Sequence, residues 1–198
     1  MSLARPRLSR EPIGAPEFPL FSFDVVDLLE RLLVEVGVAD LGPVTLTMRP
    51  EATLAFIRPR EDRRGGDIHV HSLLNRPDTP KQVIEHILRH ELIHLLVPGR
   101  EVDGKHRSHP PEFWEHERRL VPWAALSWNW IAFALYEVIR RDEERECIEV
   151  KKGWRRRYRH RFPTWDVIEA IPVEPEANLE SMDGLIERAA VAPPAPSK

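Results

Sequence analysis

Two histidines four residues apart, with a glutamate directly behind the first, occur at His90-Glu91-Leu92-Ile93-His94. An α-helix has 3.6 residues per turn and rises about 1.5 Å per residue, so the two imidazoles would share one face, one turn apart. That pair could converge on a single ion. Zinc takes imidazole nitrogen at about 2.0–2.1 Å, and a catalytic site commonly has three protein ligands with a fourth position left for water. Glu91 would then serve the water, accepting its proton and later passing it to a leaving amine, while the metal polarises a scissile carbonyl. A third ligand must come from further along, where His106, His109, Glu112, Glu115 and His116 compete. The structural alternative is a pair of satisfied histidines on a partly buried helix beside an incidental glutamate.

The elements around the motif favour chemistry. Thr79-Pro80-Lys81-Gln82 offers a capping threonine, a proline at the first helical position and a Gln three residues after the cap. A periodic apolar pattern then runs to Val97, ended by Pro98-Gly99. Upstream, apolar positions from Ser22 to Val36 repeat at helical spacing, with Ser22 or Asp24 as caps and Gly37 as the stop. Three β-like runs follow at Val44–Met48, Thr53–Arg58 and Asp67–His71, which predicts a small sheet. Pro110-Pro111 can start a helix that runs to about Leu120.

At this point the chain resembles a family. "HELIHLLVPG" followed by "HPPEFWEHERRL" is similar to the SprT-like and YgjP-like metallopeptidases, and "DIHVHSLL" before a capped helix extends the likeness upstream. The resemblance covers roughly residues 22–120. It implies an α+β, zincin-like fold with a small, mainly antiparallel sheet, and zinc as cofactor. It also implies that His90, His94 and His109 are the ligands, Glu91 the general base, and a protein or peptide the substrate. Many SprT-like proteins add a C-terminal zinc ribbon, which this chain cannot build because Cys147 is its single cysteine.

Of the remaining histidines, His86 lies one turn before His90 and reads as a group behind the ligands or on the surface. His69 and His71 alternate on a strand and read as ordinary strand residues. Phe113 and Trp114 are expected to pack the second helix onto the first. A substrate peptide could add as a further strand beside Ile68–His71. For the oxyanion the only candidates are His106, Arg107 and Tyr136.

The segment from Lys151 to Phe162, "KKGWRRRYRHRF", carries seven Lys/Arg and no acidic residue in a chain of net charge −3. As a strand, paired with Glu146–Lys151 across a Lys152-Gly153 turn, it would put Arg155, Arg157, Arg159 and Arg161 on one face and rings on the other. That ladder could hold nucleic-acid phosphates while the rings stack on unpaired bases. Alternatively the arginines pair with Glu144, Glu146 and Glu149 and the rings are core. A peptidase acting on DNA-bound proteins, as some SprT-like relatives do, would join the two ideas. The rivals are a nucleic-acid-associated protein with a structural or vestigial zinc site, and a YgjP-like hydrolase with no nucleic-acid role.

With 198 residues, 42% hydrophobic and 31% charged, the chain suits one domain with loose ends. Residues 1–20 read as a flexible Pro-rich arm, 21–120 as the zincin core, 121–171 as a helix and basic hairpin packed on it, and 172–198 as a flexible tail. The tryptophan-rich stretch Leu120–Ile139 is interrupted by Pro122, Ser127, Asn129 and Glu137, so it reads as a longer buried helix and not a membrane span. One cysteine and no apolar leader point to a cytoplasmic protein.

Overall fold

The computed structural model describes residues 16–171 except 63, 103, 143–146 and 158–160, with backbone alone for 141, 142, 147, 148 and 157. Residues 1–15, the tail 172–198, Glu144, Glu146, Arg159 and the Cys147 side chain lie outside the described residues.

Asp24 caps the first helix, α1 (Val25–Val36), by accepting the Val26 and Asp27 backbone N–H groups at 2.8 and 3.1 Å. Gly37 ends it in the left-handed conformation, φ 83°. Val25, Leu28, Leu29, Leu32 and Val36 form one buried stripe, which packs on α2 (Lys81–Leu96). Strands β1 (Val44–Met48), β2 (Ala55–Pro59) and β3 (Gly66–Val70) make one sheet in the order β1-β3-β2. The β1–β3 pairing is parallel and β2–β3 antiparallel, so this sheet is mixed where a mainly antiparallel one was expected. Its apolar face carries Met48, Ile68 and Val70, all at most 1% exposed. Helix α2 packs on it through β2 and β3, and also meets α3 and α4.

A small antiparallel hairpin, β4 (Arg100–Val102) with β5 (Lys105–Arg107), leads into α3 (Pro111–Leu120). Next come α4 (Ala124–Leu135), β6 (Ile139–Asp142), β7 (Cys147–Val150), α5 (Trp154–Arg157) and α6 (Trp165–Glu169). The tryptophan-rich stretch thus yields a helix of 12 residues, shorter than the 16 of α2. Among the described residues no helix is long and apolar enough to cross a membrane. The described residues form a mixed α+β arrangement of small sheets and six α-helices.

Four further expectations need correction. The capping box at Thr79 does not form: its hydroxyl donates to the Leu74 carbonyl at 2.8 Å, and Pro80 precedes α2 without a side-chain cap. Tertiary closure of the preceding turn has taken the hydroxyl that a local motif would use.

The described start of the arginine run, Trp154–Arg157, is not a strand. β7 pairs with β6, Arg140 opposite Glu149, and Gly153 at φ 75° turns the chain into the short helix α5. Trp154 is 8% exposed in the core and packs on His71, and burying that ring fixes the turn. The alternation behind an arginine ladder is lost: Arg155 pairs with Glu17, and Arg161 is exposed after the undescribed residues.

Ile68–His71 is no free edge, because β3 is the central strand with partners on both sides. Finally, contacts with the fold begin inside the expected arm of residues 1–20. Glu17 bridges to Met48, and the Asn75 side chain donates to the Phe18 carbonyl and accepts the Leu20 N–H, at 2.8 and 2.7 Å.

Candidate metal centre

The buried face of α2 includes Val83, Ile84, Ile87, Leu88 and Leu92. His90 and His94 flank that face on the side toward α3, half-buried, their ring centres 5.3 Å apart. His109 arrives from the other side, just before the proline-started helix α3. Its Nε2 lies 3.0 Å from His90 Nε2. One ring nitrogen from each of His90, His94 and His109 fits within a set whose atoms are all within 4.8 Å of one another. Ligand nitrogens around a tetrahedral zinc are spaced roughly 3.3 Å, given bonds of about 2.0–2.1 Å. These three residues could therefore hold a metal ion. Their partial exposure leaves the cluster reachable from solvent, unlike a closed structural site.

Phe113 explains how three rings from two elements stay together. It is 0% exposed, and its ring centre lies 4.8, 4.5 and 4.6 Å from those of His90, His94 and His109. Trp114 covers His109 from 5.1 Å. The expectation that this Phe-Trp pair docks α3 on α2 and seats His109 is met.

The electrostatics favour unprotonated His94 and His109. Burial, reinforced by the neighbouring His90 charge, pushes His94 down to about 3 and His109 down to about 4. Burial also works against protonating His90, but the Glu117 hydrogen bond and the Glu91 and Glu117 charges together outweigh it and the net shift is upward. Glu117 Oε1 is 2.7 Å from His90 Nδ1 and 3.3 Å from His86 Nε2. Burial would raise Glu117, yet these two contacts hold it well below the usual carboxylate range.

Glu91, the next residue after His90, is buried, 5% exposed. Burial pushes its carboxyl up to about 7, against the opposing pull of His90 and the Ile57 backbone N–H. A carboxyl poised there can both take and return a proton near neutrality.

The competing ligands lie elsewhere. Glu112 is exposed and pairs with Arg100, Glu115 is exposed, and His116 contacts Arg119 at 3.2 Å. His106 and Arg107 are exposed on β5, and Tyr136 closes α4. His71 is buried, with Nδ1 accepting the Leu73 N–H at 2.8 Å, and His69 packs on Phe56. Glu117 is the residue that sequence reasoning passed over. Its signal was position: it falls one turn after Phe113 on the apolar face of α3.

No family model matches the chain, and neither a curated protein nor a solved structure matches it. The likeness to SprT-like peptidases therefore rests on the motif residues alone.

Proposed function

We propose that this protein is a zinc-dependent peptidase of zincin type, with His90, His94 and His109 as ligands and Glu91 as general base. The observation that carries the reading is the convergence of three imidazoles from α2 and the start of α3, two of which, His94 and His109, burial keeps unprotonated. Three neutral nitrogen donors suit zinc better than calcium or magnesium, which take oxygen. When bound, zinc supplies Lewis acidity to a carbonyl and to a water molecule.

The chain's own groups do the rest. Glu91 Oε accepts the proton of the attacking water and gives it to the departing amine nitrogen. Its burial keeps bulk water from competing for that proton. Phe113 and Trp114 hold His109 against reorientation. A peptide substrate adds along the outer edge of β2, since β3 is enclosed and the far edge of β1 is touched by Glu17 at Met48. Ile57 of β2 lies beside Glu91, which brings such a peptide to the base.

Zinc analysis with an unfolded-protein hydrolysis assay tests this. One zinc per chain, and a Glu91→Gln variant that keeps zinc but loses hydrolysis, is the expected result. Full activity in that variant would remove Glu91 from the mechanism. A protein without zinc or hydrolysis would end the reading. Among the described residues the nucleic-acid alternative has less support, because Arg155 is engaged with Glu17 and Trp154–Arg157 is helical where the ladder needed a strand.

A further inference from the structure

The proposed chemistry uses one nitrogen of His90 and leaves the other side of that ring unexplained. There, inside the protein, lie His86 at 1% exposure and Glu117 with its side chain at 7%. Both histidines address the same carboxylate oxygen, Oε1, from 2.7 Å (His90 Nδ1) and 3.3 Å (His86 Nε2). His86 is itself fixed by the edge of Trp128, with ring centres 5.4 Å apart.

Resting on the zinc reading above, we propose that Glu117 and His86 are positioning residues that fix the tautomer and aim of His90. An ionised carboxylate only accepts hydrogen bonds, so the proton at the short contact belongs to His90 Nδ1. The Nε2 of a neutral His90 is then the free lone pair, and it is the atom that faces His109. His86 donates to the same oxygen and keeps the carboxylate from turning toward another partner. Metal-bound histidines commonly use such a carboxylate behind the ring.

The arrangement has two further consequences. Helix α3 supplies His109 immediately before its first turn and Glu117 eight residues later, so one helix sets the site at two points. Glu117 also places a negative charge behind the ligands.

His86, His90 and Glu117 also lie close enough together to form a second cation site. That use would require His90 to surrender both ring protons, because its Nε2 serves the first ion. A hydrogen-bonded chain needs no such loss.

The test uses zinc as the probe, with chelator competition on the full chain and variants Glu117→Leu, Glu117→Gln and His86→Phe. Phe keeps a ring against Trp128 and removes the donor. Gln keeps an accepting oxygen and removes the charge. Glu117→Leu should weaken zinc binding about 10–100-fold, with smaller losses for the other two and unaltered near-UV dichroism in all three. A slowly exchanging, downfield His90 Nδ1 proton should be seen by NMR in the zinc-loaded wild type and vanish in Glu117→Leu. Equal zinc affinity in the wild type, Glu117→Leu and His86→Phe would overturn the positioning role alone. Two zinc ions per wild-type chain, falling to one in His86→Phe, would overturn it in favour of a second metal site. Wild-type protein that binds no zinc would overturn the metal reading and this role with it.

Discussion

His90 Nε2 and His109 Nε2 lie 3.0 Å apart although 19 positions separate them in the chain. Two basic nitrogens do not settle at that distance for each other's sake beyond one weak N–H···N contact. What holds them is the packing of α3 on α2 around Phe113, and together with His94 the pair could hold a cation.

His109→Ala should therefore weaken zinc binding by more than the ~10–100-fold typical of groups behind a ligand, while Glu112→Ala and His116→Ala change it little. Chelator competition ranks the three. If Glu112→Ala were the most damaging, the third ligand would have to be reassigned to a carboxylate.

Zinc should stabilise the fold. An ion that binds only the native state at a hundredfold excess over its Kd adds about 2.7 kcal/mol. Thermal melts with zinc and with a chelator measure the difference, and superimposable curves would contradict a native metal site.

Phe113→Ala should cost about 3–5 kcal/mol, as for other large buried aromatic truncations, and should weaken zinc binding because three imidazoles lose their common seat. Urea unfolding and metal titration report the two effects separately. Loss of stability with unchanged zinc affinity would mean that the rings hold their places without it.

His71 predicts an acid-sensitive window independent of the metal. Burial, with a smaller push from Arg155, lowers it from 6.5 to about 4. The unfolded chain therefore takes the proton first as pH falls. The stabilising contribution is complete above about 6.5 and is lost progressively between 6.5 and about 4, with a slope of at most about 1.4 kcal/mol per pH unit. Denaturation of the wild type and His71→Asn across pH 4–7 should show a shallower decline in the variant. Parallel declines would assign the acid sensitivity to other groups.

Arg155→Ala should lower stability by only about 0.2–1 kcal/mol, the usual worth of a surface ion pair, here with Glu17. A double-mutant cycle with Glu17→Ala isolates the pair. Steeply salt-dependent oligonucleotide binding lost in Arg155→Ala would instead restore the phosphate-contact role.

Much of the site was legible because its rules are local. His90 and His94 follow from helical periodicity, and the Pro110-Pro111 start marks where α3 begins. Asp24 and Gly37 announced the ends of α1 for the same reason. What misled was long-range. Thr79 had a local cap available but bonds to Leu74, and Trp154 sits where the alternation of arginines and rings suggested a strand. The choice there depended on a pocket beside His71 that no nearby residue reveals. Glu117 escaped notice because its partners, His86 and His90, lie 31 and 27 positions away.

The turn that leads into α2 is gripped from both sides in sequence. Asn75 takes Leu20, 55 positions earlier, and Asp78 accepts the Phe162 backbone N–H, 84 positions later, at 3.1 Å. During synthesis the three histidines exist long before residue 162 does. A nascent chain could thus meet zinc while the anchor of α2 is still missing. Contacts of such separation close slowly because the loop entropy must be overcome first. The order of assembly, with the ligands made early and the clamp made late, is written into the topology.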